Sequence, residues 1–534
     1  MNRPRWLIER KRSRKPVYVD LDTIKLLWPE LVLVLLATWI YIGGTIQQGR
    51  WWWGLFALAA YGVSGHAVAV GIVEANTVSG PLTPDSLGYV VRFTAIVLGA
   101  LFTLVLTASA RKELASETIA TLMLLICGVM LVGRANDLVF LFVSLELVSI
   151  PTYVLLYLGR RDRATSEATV KYFFLSVLSS AVLLYGLTML YGVAGTTTLV
   201  GPGSIQSELQ SLSVDAGGLG SLTPVALVLI IAGLGFKMAA VPFHFYAPDV
   251  YQGATNANAG LLAVVPKVAG VIALIRVAVI AMPNVAEFAW HVTLVLALVT
   301  MTIGNVCALW QQNLRRLMAY SSIAHAGYML IGVAVAMAME ASGGISGTLF
   351  YLLVYAFGSL GMFAALASLG SDEQEVSRLE QLSGLARSRP FVAGAIAVCM
   401  FSLAGIPPLA GFWGKFTLFT GAVRVATDSG GQATSVWFAV LAVGGAINAA
   451  IAAVYYLRVV AVMYFQPSRE ANFGTNVGAR VVMLFAAVLV VALGIFPRSI
   501  FNATEHAESS ALREKVAAQT IQRLEAIATS QQVP

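Results

Sequence analysis

Three of the nine lysines in this 534-residue chain lie inside apolar stretches: Lys237 in IIAGLGFKMAAVPF, Lys267 in LLAVVPKVAGVIALI and Lys415 in LAGFWGKFTLF. An ammonium at the centre of a spanning helix opposes insertion by about 2.5–3.5 kcal/mol. Each such lysine therefore needs a partner, or is neutral for part of the time. Snorkelling along the flexible stem is the alternative, and it suits Lys415 best because that residue lies near a helix end. One partner is Glu146 in DLVFLFVSLELVSIPTYVLLY, the only acid of its span. A buried carboxylate and a buried ammonium relieve each other's desolvation, so a pair that is made and broken donates and accepts protons according to its geometry. The competing reading is a static ion pair. His325, in MAYSSIAHAGYMLIG, titrates near neutrality and is a candidate relay between lysine sites, or else a hydrogen-bonded core histidine. His244 in KMAAVPFHFYAPD is a possible relay or a cap for freed carbonyls, while His66 and His291 have no charged company and read as structural. Cys127, Cys307 and Cys399 are scattered through apolar segments without ligand spacing, which argues against a disulfide framework, zinc or an iron–sulfur cluster. With no G-x-G-x-x-G, Walker-type or flavin motif either, the chain is expected to bind no cofactor or metal itself.

The elements that hold these residues are membrane spans. The chain is 58% apolar and only 11% charged, too little polar surface to clothe a soluble enzyme, a nucleic-acid binder or a disordered chain. Fourteen stretches of spanning length fall near 27–46, 54–73, 88–107, 117–133, 138–158, 171–193, 223–246, 257–281, 290–310, 316–339, 347–369, 391–420, 436–464 and 480–497. The ten-residue alternation of a transmembrane barrel is lacking, so the class is an all-α polytopic membrane protein. Pro242 follows Lys237 by five residues, and Pro407 and Pro408 precede Lys415. Proline removes a backbone donor, and within a bilayer the freed carbonyls demand a protein-lined, hydrated cavity. A break beside a lysine in each half of the chain suggests an internal repeat with an ion site in each half. Arginine and lysine concentrate in the loops after odd-numbered helices, among them Arg111, Lys112, Arg160, Arg161, Arg315 and Arg316, which turns those loops to the cytoplasm and both termini outside. The basic leader Arg3, Arg5, Arg10, Lys11, Arg12, Arg14 and Lys15 by itself favours the opposite orientation. After Phe501, Leu512, Val516, Leu524 and Ile527 recur at helical spacing among charges, as in an amphipathic tail.

The segments GLGFKMAAVPFHFYAPDVYQGA, RRLMAYSSIAHAGYMLIGV and SLAGIPPLAGFWGKF resemble the antiporter-like membrane subunits of respiratory complex I, and the DVYQGA string is most like subunit N rather than L or M. The resemblance runs from about the third to the last span. It implies two inverted five-helix repeats, helices 4–8 and 9–13, with helices 7 and 12 broken, and a hydrated axis that carries protons. The implied division is a basic extension 1–25, helices 1–3 in 26–110, a first repeat 111–282, a second repeat 283–465, helix 14 in 466–500 and a tail 501–534. The family's glutamate falls on Glu146 and its lysines on Lys237, Lys267 and Lys415. NADH, FMN, iron–sulfur clusters and quinone are then expected in partner subunits. The expected partners are an antiporter-like neighbour, small membrane subunits, the peripheral redox arm and lipid, with no nucleic acid; the expected location is the bacterial inner membrane. A cation/proton antiporter subunit without redox coupling is the alternative use of the same axis. After DVYQGA the family's Pro-Thr-Pro-Val-like turn is replaced by TNANAGLLAVVPK, and Pro266 directly before Lys267 is a place for a kink.

Overall fold

The computed structural model describes residues 21–47, 49–71, 80–160, 162–211, 218–339, 343–370, 375–467, 473–474 and 476–512. The basic leader and Val516, Leu524 and Ile527 of the tail lie outside them. The spans are α1 Leu21–Gly44, α2 Arg50–Val70, α3 Ser86–Ser109, α4 Ala115–Arg134, α5 Leu138–Gly159, α6 Arg163–Ala194, α7a Thr223–Met238 with α7b Ala247–Gly253, α8 Asn256–Leu274, α9 Ala286–Leu309, α10 Leu314–Ala338, α11 Gly344–Leu369, α12a Pro390–Ala404 with α12b Ala410–Asp428, α13 Gln432–Phe465 and α14 Val477–Ile495. Among the described residues, thirteen helices are long and apolar enough to cross a membrane. The twelfth expected span is two half-helices, too short or too polar one by one, and it completes the fourteen. Successive spans joined by short loops alternate in direction, so the start of α1 defines a first face and its end a second.

Helix starts follow local capping chemistry. Asp85, Asp137, Asp162, Thr255, Asn313 and Asn476 each accept a backbone N–H from the first turn of the following span. Thr255 answers the question left by the altered turn after DVYQGA: its hydroxyl accepts the Asn258 N–H at 3.2 Å and starts α8. Pro266 lies inside that helix without ending it. Instead α8 changes near its far end, where Ile275–Ala281 continues as a π-helix.

Every residue of α8 and its π-helical end is buried, ringed by α3, α4, α5, α7a, α10 and α11. The helices α10 and α11 are nearly as enclosed, whereas α1, α2, α6 and α13 turn broad apolar faces outward, where lipid or a neighbour replaces water. Small residues bring backbones together. A Cβ on Gly304 would lie 2.5 Å from the Ala324 nitrogen, and one on Gly128 would lie 2.9 Å from the Leu147 carbonyl carbon. These approaches fix α10 against α9 and α5 against α4. A final helix, α15, covers 498–512. Its Phe501 stacks on Phe350 at 4.1 Å, Ser346 N donates to Glu508, and Ser86 N donates to Ser510, so it lies across the first-face ends of α3 and α11.

Candidate functional site

Both broken spans stop in the same way. Helix α7a ends at Ala239, held at φ 58°, with Ala240 N donating to Gly235 O. Helix α12a ends at Gly405, φ 91°, with Ile406 N donating to Phe401 O. A left-handed residue is the usual helix stop and favours glycine; at Ala239 the Cβ makes it strained. The three prolines follow in the non-helical links, Pro242 in 239–246 and Pro407 and Pro408 in 405–409. Close packing keeps the second link tight, because a Cβ on Gly411 would meet the Ser402 carbonyl oxygen at 1.7 Å.

The two lysines that straddle these breaks differently in sequence both lie beside the end of a first half-helix. Lys237 is in the last turn of α7a, and Lys415 folds back from α12b to donate to Ala404 O at 2.8 Å, the last residue of α12a. The Lys415 ammonium therefore sits at the carbonyl end of a half-helix, where a free C=O group and the helix dipole favour positive charge, whereas the Lys237 ammonium leaves the last turn of α7a for side chains on α5 and α6. Both are buried, so neither snorkels.

Lys237 Nζ reaches the hydroxyls of Ser149 on α5 at 2.5 Å and of Ser176 and Ser180 on α6 at 3.3 and 3.4 Å. Glu146 Oε1 is 3.7 Å away, and the Ser180 hydroxyl donates to that same oxygen at 2.5 Å. Ser180 thus bridges base and acid. The Glu146 side chain is 27% exposed on the outer side of the α5–α6 layer, against 2% for Lys237. Toward the core, the Lys237 stem touches α8 at Gly270, where an added Cβ would lie 3.2 Å from Lys237 Cβ, one turn from Lys267.

Lys267 Nζ donates to the backbone carbonyl of Ser322 and lies 2.8 Å from its hydroxyl. It also stands 5.0 Å over the Tyr355 ring, whose hydroxyl is 2.7 Å from Ser322 Oγ. One turn along α10, His325 Nδ1 meets the Tyr351 hydroxyl at 2.6 Å and Nε2 the Tyr456 hydroxyl at 2.9 Å. Ser321 Oγ is 2.5 Å from the same Tyr456 hydroxyl. Another turn on is Tyr328, whose ring lies 4.8 Å beneath Lys415 Nζ. Ser322, His325 and Tyr328 are spaced by threes on one strip of α10. Among the described residues no carboxylate lies within ion-pair distance of Lys267 or Lys415; carbonyls, hydroxyls and ring faces solvate them instead.

The structure therefore gathers Glu146, Lys237, Lys267, His325 and Lys415 into one line through the core. His244 does not join it: half-buried in the first break, its Nδ1 finds no partner, and no hydrogen bond or ion pair ties it to the lysines among the described residues. Ser149, Ser176, Ser180, Tyr351, Tyr355 and Tyr456 escaped sequence reasoning. The signal in α6 was Tyr172, Ser176 and Ser180 at four-residue spacing, a polar strip in an apolar helix. Among the described residues no group of three or more His, Cys, Asp or Glu could hold a metal ion.

Comparison with known proteins places the whole chain rather than its site. Residues 135–442 match the family model described as NADH:quinone oxidoreductase/Mrp antiporter, TM. NADH-quinone oxidoreductase subunit N of Trichlorobacter lovleyi is 40% identical over 383 residues, covering 71% of this chain and 74% of that protein. The protein of the same description from Rhodospirillum rubrum is 35% identical over 492 residues, covering 91% and 96%. Among solved structures, a chain of respiratory complex I from Thermus thermophilus with bound aureothin superposes with a TM-score of 0.73 at 30% identity, covering 90% of this chain and 99% of its own.

Proposed function

The chain belongs to the NADH-quinone oxidoreductase subunit N family, and from that premise we propose how its buried charges carry protons as a membrane-arm subunit of that enzyme complex. The observation that carries the reading is the Glu146–Ser180–Lys237 triad, an acid and a base 3.7 Å apart with a hydroxyl touching both. When Glu146 is drawn away, Lys237 loses its counter-charge and gives its proton inward toward Lys267. From there Ser322, Tyr355 and His325 offer hydroxyl and imidazole groups at one-turn steps toward Lys415. Return of the Glu146 charge reloads Lys237 from the second face, and Lys415 discharges to the first.

The Glu146 carboxylate is partly exposed on an otherwise apolar α5–α6 face, a costly arrangement against lipid. That face is accordingly where a neighbouring membrane subunit of the complex docks and transmits its own charge. Redox chemistry with NADH, FMN, iron–sulfur clusters and quinone belongs to partner subunits, lipid covers the remaining apolar faces, and the chain resides in the bacterial inner membrane with its second face toward the cytoplasm, as the arginine-rich loops favour. Residues 111–282 and 283–465 form two inverted repeats, a reading supported by the matching stops at Ala239 and Gly405. Replacement Lys237→Ala is expected to abolish proton uptake by the assembled complex; unchanged pumping in that variant overturns the assignment.

A further inference from the structure

Two arginines that the proton path does not use occupy matching places in the two halves. Arg276, in the π-helical end of α8, donates to the carbonyl of Gly133 in the last turn of α4. It also grips Asp85 through both terminal nitrogens, at 2.6 and 2.7 Å, and both side chains are buried. Arg458, in the second half of α13, donates to Leu309 O and Gln311 O, each at 2.6 Å, where α9 ends. Helices α8 and α13 are the fifth of their repeats, and α4 and α9 the first. Leu309 lies as many residues before the cap of α10, Asn313, as Gly133 lies before the cap of α5, Asp137.

The backbone beside each arginine repeats as well. Next to Arg276, Leu138 N donates to Thr197 O at 2.9 Å and Leu199 N to Asn136 O at 2.8 Å. Next to Arg458, Leu314 N donates to Ser377 O at 2.7 Å and Leu379 N to Gln312 O at 2.9 Å. The capping residues Asp137 and Asn313 each form an isolated antiparallel bridge, to Thr198 and Arg378. Five spans separate the two assemblies, so they close opposite membrane faces: the first repeat at the first face, the second at the second.

We propose that Arg276 and Arg458 are the proton seals of the two repeats, each confining its repeat's proton exchange to one side of the membrane. The proposal rests on the reading of this chain as a proton carrier. The paired extended segments tie backbone groups to one another at each closure, and the arginine satisfies helix-end carbonyls that would otherwise hold water. A guanidinium never releases its proton. At Arg458, whose partners are backbone carbonyls, its charge also repels a hydronium ion, whereas Arg276, paired with Asp85, closes its end by filling it with a fixed ion pair. At the second face α6 and α7b of the first repeat border a pocket of about 490 Å³ lined by Glu167, Lys171, Asp249 and Gln252, whose opposite wall is the closing segment of the second repeat, Asn313, Ser377 and Arg378.

The test uses the complete complex in proteoliposomes, given an imposed pH gradient and no NADH. In Arg458→Met the gradient is expected to decay about tenfold faster than in wild type, the effect of one unit charge at about 10 Å inside a protein. In Arg276→Met, which opens the plug and leaves Asp85 without its partner, it is expected to decay faster as well. Arg458→Lys, which keeps the charge, is expected to restore tightness, and sodium permeability is expected to stay at the wild-type level in both methionine variants. Decay at the wild-type rate in the assembled variants overturns the proposal, as does equal leakage of sodium. Arg458 is only half-buried, so its variant serves where Arg276→Met fails to assemble. This passive leak needs no turnover, so its outcome is separate from that of Lys237→Ala pumping.

Discussion

Gly233→Ala moves Lys237 without touching it. An added Cβ at Gly233 would lie 2.5 Å from Leu183 Cβ and 2.8 Å from its Cα, where ordinary contacts are 3.4–4 Å. The α6 and α7a backbones must therefore part by about 1 Å, since a close-packed interface cannot absorb the overlap otherwise. Lys237, one turn further along the same face of α7a, moves with it. Its contacts to Ser176 and Ser180, 3.3 and 3.4 Å, then stretch beyond hydrogen-bonding range, while Ser149 on α5 is left as its hydroxyl partner. A hydrogen bond to a charged group contributes about 1.5–3 kcal/mol, so losing one from the proton-passing arrangement slows that step by about 10- to 100-fold. Overpacking itself costs about 1–3 kcal/mol, which a large membrane complex tolerates. The assay is NADH-driven proton uptake by proteoliposomes, with assembly checked on a native gel. An assembled Gly233→Ala complex that takes up protons at the wild-type rate refutes the reasoning that α6 must hold Lys237 in place.

Glu146→Gln keeps the contact with Ser180 but removes the charge; proton uptake is expected to fall at least tenfold, with Glu146→Asp retaining part of it, as read by a pH-sensitive dye. Phe501→Ala removes the stack on Phe350 and is expected to cost about 2 kcal/mol of α15 docking, seen as easier proteolysis of the C-terminal helix with pumping preserved until cleavage. A membrane-permeant maleimide is expected to label Cys307, which is partly exposed on α9, and to spare the buried Cys127 and Cys399 until the protein is denatured; mass spectrometry of the digested chain reads the result.

The charged residues of the axis were legible because an ammonium or carboxylate in an apolar span is costly and rare, so Lys237, Lys267, Lys415 and Glu146 stood out one by one. The hydroxyls that connect them were not, since serine and tyrosine occur in spans for many reasons and only the fold brings Ser149, Ser180 and Tyr456 to the right neighbours. Proline marked both breaks, and Gly405 is a conventional helix stop; Ala239 carries no such signal, and its left-handed backbone is imposed by packing. The differing placement of Lys237 before its break and Lys415 after it looked like imperfect symmetry in sequence. In space Lys237 belongs to the last turn of its first half-helix and Lys415 folds back onto the last carbonyl of its own. Arg276 and Arg458 were invisible for another reason: an arginine near a span end reads as a topology signal, and its hold on a carbonyl in another helix is a tertiary fact.

The central claim is that the lysines act in series along one path. It is tested most directly by the number of protons taken up per electron in complexes carrying Lys237→Met, Lys267→Met, Lys415→Met and the triple replacement. A single path predicts the same decrement in every one, with the triple no worse than any single. A triple replacement that loses more protons per electron than each single one contradicts the account, because it places the lysines on separate routes.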